Sequence, residues 1–289
     1  MTAATTGGHP AAAHGPGHLT VCGRRVRVDV RPGSGAAPAL VLCCGIGASL
    51  DVLQPFVDAL PPDREVIRFD VPGVGGSPVG PLPLGFPQLA YLLARLLDQL
   101  DRPQVDVLGF SWGGALAQQF AVQHRRRCRR LVLVSTATGM LMIPGNPRVL
   151  RRMTTPRRFR DPDYAATVAP FLYGGTARRH RDDLHHILDR QRLTETSQRG
   201  YLYQLAAGAG WTSLPFLPLI RQPTLVMGGD DDPIVPLANA RLMARLIPHA
   251  QLHVYAGGHV ELVTEPQPLA HEVTRFLDAP QEAHHARRS

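Results

Sequence analysis

The feature that most constrains this chain is the pentapeptide Gly109-Phe110-Ser111-Trp112-Gly113, which sits between two segments of different periodicity. The run Val105–Phe110 leads in as a short, largely apolar segment and predicts a buried strand. ALAQQFAVQH follows it and predicts a helix. A bare G-x-S-x-G pattern carries little information; at a strand-to-helix junction it carries much more. A strand that turns straight into a helix must hold the central residue in strained dihedrals, and glycines two positions to either side let the backbone approach closely. Ser111 is therefore expected to stand at the carboxyl end of a sheet and at the head of a helix.

The same alternation recurs along the chain. Ala39–Cys44, Glu65–Asp70, Leu131–Ser135, Thr224–Met227 and Gln251–Tyr255 also read as strands, punctuated by Gly, Pro and Asp. Helical periodicity separates the earlier ones. It is clearest at Leu89, Leu92, Leu93, Leu96, Leu97 and Leu100, with Arg95 and Asp98 facing away. This rhythm implies βαβ crossovers, hence an α/β protein with a mostly parallel sheet covered by helices on both faces. Leu19–Cys22 and Arg25–Arg31 flank Gly23 as an antiparallel hairpin. Residues 140–222 break the rhythm and are too long for a βα connection, so an inserted helical cap is expected. The predicted organisation is a disordered tail over 1–18, core over 19–139 and 223–278, the cap between them, and a second disordered tail over 279–289.

Composition narrows the function classes. With 289 residues, 44% of them hydrophobic, the chain can bury a substantial core. No apolar run reaches the roughly 18 residues of a membrane span. Residues 1–18 have neither a basic start nor an apolar stretch, so no secretory signal is expected and the predicted location is cytoplasmic. The four cysteines (Cys22, Cys43, Cys44 and Cys128) lack metal-site spacing and read as reduced, packed thiols. The net charge of +8 comes from arginine, since the chain has no lysine. Residues 140–222 hold 13 Arg against six Asp or Glu. No nucleic-acid-binding module accompanies them, so a solvated basic face is expected and no nucleic-acid partner.

A serine nucleophile needs a base, and the base needs an orienting carboxylate. After the Thr224 strand comes Gly228-Gly229-Asp230-Asp231-Asp232-Pro233; after the Gln251 strand comes Gly257-Gly258-His259. His259 is the candidate base. His253 falls inside a strand, where a structural role is expected, and His124, at the head of an arginine run, is expected to be exposed. Among the aspartates, Asp232 abuts the Pro233–Pro236 entry to the next helix and is favoured as the acid. Asp230 and Asp231 remain alternatives, with cap or turn roles. The loop after the Leu131 strand offers only Ser135-Thr136-Ala137-Thr138. Backbone N–H groups of Trp112 and of Ile46, in the loop Cys44-Gly45-Ile46-Gly47, are the candidate oxyanion donors.

With these residues assembled, the chain resembles the α/β-hydrolase superfamily over residues 19–278. The segments PGVGGS, SWGGALAQQFA, the YGG at 173–175, GWTS at 210–213, GDDDPIVPL and the GGH before Val260 are similar to the intracellular poly(3-hydroxyalkanoate) depolymerases, which degrade stored medium-chain polyester. The resemblance implies a nucleophile at Ser111, a base at His259 and an acid at Asp232, acting on polyester, with no metal or organic cofactor and a location at storage granules. Met140, Met142, Phe171, Tyr173 and Trp211, together with Leu141 and Phe216, are candidates to line a slot for alkyl side chains. Two positions depart from the family pattern: Cys44 precedes the oxyanion glycine, and Glu261 places a charge at the expected site mouth. A small-ester or lactone hydrolase, carbon–carbon cleavage or perhydrolysis, and a non-catalytic granule-surface or ligand-binding protein are the competing readings.

Overall fold

A computed structural model describes residues 16–179 and 197–280. The expected tails therefore fall largely outside the described residues, but their inner ends do not. Strand β1 (Gly17–Val21) begins inside the segment predicted as tail, and Ala279 accepts a hydrogen bond from Arg130. β1 turns back into β2 (Arg24–Arg31) through Cys22 (φ +50°) and Gly23 (φ +73°), both left-handed as a two-residue hairpin loop requires. The remaining strands are β3 (Leu40–Cys43), β4 (Val66–Phe69), β5 (Val105–Phe110), β6 (Cys128–Val134), β7 (Thr224–Gly229) and β8 (Ala250–Tyr255). They form one eight-stranded sheet in the order β1-β2-β4-β3-β5-β6-β7-β8. β2 runs antiparallel to β1 and β4, and every later pairing is parallel.

Side chains alternate across the sheet and are buried on both faces. In β3, Val41 and Cys43 join one hydrophobic cluster while Leu40 and Leu42 join the other. The first cluster is covered by α2 (Phe86–Gln99), α3 (Trp112–Gln123) and α8 (Leu237–Leu246). The second lies beneath α1 (Gln54–Ala59), α9 (Glu261–Thr264) and α10 (Pro266–Asp278). The leucine stripe of α2 packs as its period predicts, with Leu92, Leu93, Leu96 and Leu97 buried and Arg95 paired outside with Asp98 at 2.7 Å. Fully burying each such side chain stabilises the fold by about 1.5–3 kcal/mol.

Between β6 and β7 lie α4 (Pro147–Met153), α5 (Pro162–Tyr173), α6 (Gly175–Arg179) and α7 (Gln198–Ala209). Val149, Val168 and Leu172 of this stretch pack into the same cluster as Leu108 and Phe110 of β5, so its apolar side merges with the core. Not all its arginines form a solvated face: Arg158 is only 5% exposed. The arginine run before β6 is only partly exposed, with Arg125 and Arg126 in solvent and Arg130 buried. β6 starts at Cys128, three residues before the apolar stretch, because the charges find buried partners. Arg129 forks onto Asp106 at 2.9 and 2.5 Å, and Arg130 donates to the carbonyls of Phe276 and Ala279. His124 is half-buried with its ring 5.2 Å from Phe120, not exposed as expected.

Candidate active site

In a parallel sheet every βα loop leaves at the same edge, so the segments after β3, β5, β7 and β8 converge. Ser111 ends β5 at φ +53° and ψ −120°, a conformation that L-residues rarely adopt. Its N–H is anchored to the Val134 carbonyl of β6 at 2.9 Å. The tight turn depends on missing side chains. A Cβ on Gly113 would collide with the Cys43 carbonyl, and one on Gly109 would lie 2.5 Å from Cα of Gly114. Although Ser111 occupies the cap position of α3, its hydroxyl does not cap the helix. It lies 2.9 Å from Nε2 of His259.

The structure also brings Asp232 to this imidazole. Its Oδ2 is 2.8 Å from His259 Nδ1, while Oδ1 accepts the N–H groups of Ile234 and Val235 at 2.9 Å each. Those backbone bonds fix the carboxylate plane. The other two aspartates face elsewhere. Asp230 accepts from Gly257 N at 2.9 Å; Asp231 takes Gly175 N at 2.7 Å and Arg178 at 2.9 Å. The His259 loop is held on its far side as well, its N–H donating to the Tyr173 carbonyl at 2.7 Å. Glu261 is not at a site mouth. It is 3% exposed and accepts from Gly258 N at 2.8 Å, Thr176 N at 2.7 Å and Thr264 Oγ1 at 2.7 Å, stitching the His259 loop to the start of α6. Beneath it, Tyr255 bonds Ser135 at 2.6 Å, and burial pushes its phenol above the ordinary range.

Ile46 and Trp112 both border the space in front of Ser111. Trp112 is the first residue of α3, so its N–H has no carbonyl within its own helix to bind. The loop bearing Ile46 is braced from two directions. Asp70, whose pKa burial raises against the pull of its bonds from Leu50 N (2.7 Å) and Gly76 N (2.9 Å), secures the chain just beyond it. Gln204 of α7 accepts Gly47 N on Oε1 at 2.7 Å, and its own carbonyl accepts Trp112 Nε1 at 2.9 Å. This glutamine ties both candidate oxyanion segments to the insertion. The sequence reading missed it, since the partners are far apart along the chain.

Two chambers open at Ser111. The wider is about 620 Å³ and mostly apolar, bordered among others by Phe86, Met140, Met142, Leu150 and Leu205. Its size is that of a pocket for a medium-sized organic ligand. The narrower, about 40 Å³, is bordered by His259, Tyr173 and Arg158. Of the candidate substrate contacts, Met140, Met142 and Tyr173 border these spaces. Phe171 and Trp211 border neither: Phe171 lies under the Arg152 guanidinium at 4.8 Å, and Trp211 packs on Phe86 at 4.8 Å and donates to Gln119 at 2.8 Å. Leu141 and Phe216 are exposed. Cys44 is half-buried, and burial holds its thiol well above the ordinary range, so it stays neutral.

Residues 38–266 match the family defined by the alpha/beta hydrolase fold. The chain is 49% identical over 252 residues to the poly(3-hydroxyalkanoate) depolymerase of Ectopseudomonas oleovorans, covering 87% of this chain and 88% of that one. It is 28% identical to 3-oxoadipate enol-lactonase 2 of Acinetobacter baylyi, over 85% of this chain and 90% of that protein. The crystal structure of the enol-lactonase from Burkholderia xenovorans LB400 superposes with a TM-score of 0.77 at 26% identity, covering 90% of this chain and 99% of that one. Among the described residues, no helix is long and apolar enough to cross a membrane.

Proposed function

The chain belongs to the α/β-hydrolase fold family and is poly(3-hydroxyalkanoate) depolymerase-like; we propose that it is a serine hydrolase cleaving ester bonds of medium-chain poly(3-hydroxyalkanoate). His259 takes the proton of Ser111 as the hydroxyl oxygen attacks an ester carbonyl. The N–H groups of Ile46 and Trp112 stabilise the oxyanion that develops there. The carbon–oxygen bond then breaks, and the departing alkoxide receives the proton from His259. Water, deprotonated by the same imidazole, releases the 3-hydroxyacyl group from Ser111. Asp232 holds the ring in the tautomer that this cycle needs.

The observation that carries the reading is the continuous 2.9 and 2.8 Å contact chain Ser111–His259–Asp232, opening onto an apolar chamber of about 620 Å³. Alkyl branches of the polyester lie along Met140 and Met142, while Tyr173 bounds the His259 side. Action at the surface of a storage granule is supported by the exposure of Met140 (61%) and Leu141 (52%) beside that chamber. The test is incubation of the purified protein with amorphous medium-chain polyester granules, with Ser111→Ala alongside, and assay of soluble 3-hydroxy acids. Release by the wild type, lowered roughly 10⁴-fold or more in the variant, is expected. Cleavage of p-nitrophenyl esters without release from granules would replace the polyester reading by that of a small-ester hydrolase.

A further inference from the structure

The candidate base stands on a segment with little stiffness of its own. His259 follows Gly257-Gly258, and glycine has more backbone freedom to lose than any other residue. Yet the imidazole must stay within hydrogen-bond reach of both Asp232 and Ser111. A misplacement of about 1 Å at such a centre can cost roughly 10²-fold in rate. The restraint has to come from outside the segment.

Three consecutive N–H groups show where it comes from. That of Gly257 donates to Asp230 Oδ1 at 2.9 Å, that of Gly258 to Glu261 Oε1 at 2.8 Å, and that of His259 to the Tyr173 carbonyl at 2.7 Å. The first tie stays within the core loops; the other two lead to the insertion. Glu261 Oε1 also accepts the N–H of Thr176 at 2.7 Å, and Arg179 Nη2 stands 4.0 Å from it. Burying a carboxylate is costly unless its oxygens are satisfied, and here Thr264 Oγ1 completes the set by donating to Oε2 at 2.7 Å. A Cβ on Gly175 (φ +49°) would lie 2.0 Å from both Glu261 Oε1 and Gly258 N, so the turn over 173–176 is pressed directly against this carboxylate. The same turn grips the acid loop, since Gly175 N donates to Asp231 Oδ2 at 2.7 Å. One turn of the insertion thus spans the loops that carry Asp232 and His259.

We propose that Glu261 is a positioning residue for His259. It pins Gly258 to the turn over 173–176 and so fixes where the imidazole stands between Asp232 and Ser111. The inference rests on the serine-hydrolase reading above. Glu261 acts through the backbone of Gly258 and not on substrate, and it makes the insertion part of the proton-transfer machinery as well as a wall of the chambers.

The experiment compares wild type, Glu261→Leu, Glu261→Gln and Glu261→Asp on a soluble ester, well below each thermal midpoint. Turnover is counted per Ser111 labelled to completion by a fluorophosphonate. Leucine keeps the bulk and accepts nothing, so kcat is expected to fall by about tenfold to a hundredfold with KM changed less than about threefold. Glutamine still offers an oxygen to Gly258 and Thr176 and is expected to bring kcat back to within about threefold of wild type. A purely structural role would lower the midpoint and leave turnover per labelled serine unchanged. Unchanged turnover in Glu261→Leu, a rise in KM with kcat held, or a glutamine variant as slow as leucine would each overturn the inference. Should the leucine variant fail to fold, Glu261→Asp decides. Its carboxylate is one methylene too short to hold Gly258 and Thr176 together, so kcat must fall, and a wild-type kcat overturns the inference. A wild type that neither cleaves esters nor takes the fluorophosphonate would instead bring down the hydrolase reading, and this inference with it.

Discussion

The ends of the strands and the walls of the wide chamber are held by different kinds of force. At the strand ends every key side chain is fixed by directional bonds. Ser111 hangs from the Val134 carbonyl, Asp232 takes two backbone N–H groups, and the His259 N–H is bound by Tyr173. Around the wide chamber the walls include Met140, Met142, Leu150, Met153 and Leu205, flexible apolar side chains that adapt to what they contact. The contrast separates two tasks. Proton transfer tolerates little displacement, whereas accommodating alkyl branches of varying length benefits from pliable walls. Gln204 joins the two regions, because one residue of the insertion holds both the Ile46 loop and the Trp112 ring.

The largest effect that would test this contrast is at Asp232. Asparagine preserves the volume and still offers an oxygen to the N–H groups of Ile234 and Val235. It also presents an amide donor to His259 Nδ1, which favours the tautomer protonated on Nε2, and that nitrogen can no longer accept the serine proton. Asp232→Asn should therefore lower kcat by about 10³–10⁴-fold with a thermal midpoint close to wild type. A loss smaller than tenfold would show that the directional bonds at the strand ends matter less than their geometry suggests.

A smaller effect is expected where the two regions meet. Gln204→Leu keeps the bulk but removes the acceptor that Gln204 offers the Gly47 N–H, so the candidate oxyanion loop loses a brace. The expected signature is a kcat reduced by about tenfold with KM changed less than threefold, since the interaction lost is felt mainly as the oxyanion forms. If KM rose while kcat held, Gln204 would belong with the chamber walls and not with the strand ends.

The strand ends were largely legible from sequence, and the walls were not. β3, β4, β5 and β7 read as short apolar runs because a sheet buried on both faces leaves no polar alternation. Ser111 and His259 stood out because each follows such a run through glycines. The start of β6 was obscured, since Arg129 and Arg130 break the apolar run and their partners, Asp106 and the carbonyls of Phe276 and Ala279, lie elsewhere in the chain. Gln204 gave no local signal, because its acceptor role is defined by a loop 157 residues away. Glu261 was misplaced for the same reason: a charge looks exposed until the Gly258 and Thr176 amides that it satisfies are known. Phe171 and Trp211 were read from hydrophobicity alone, which cannot distinguish a wall of the chamber from packing behind it.

The smallest expected effect bears on the strand ends alone, and it concerns stability. At φ +53° the Cβ of Ser111 sits in a region that L-residues occupy at a cost of about 1–2 kcal/mol, and glycine escapes that cost. Ser111→Ala and Ser111→Gly both remove the hydroxyl and its bond to His259, so their difference isolates the backbone. Glycine gains freedom in the unfolded chain, which offsets part of the relief. The glycine variant should still be the more stable by about 1 kcal/mol, a rise of roughly 2–4 °C in Tm relative to alanine. A glycine midpoint below that of alanine by the whole of that unfolded-chain cost would mean that the turn at Ser111 stores no strain. The precision of the strand ends would then come from their hydrogen bonds alone.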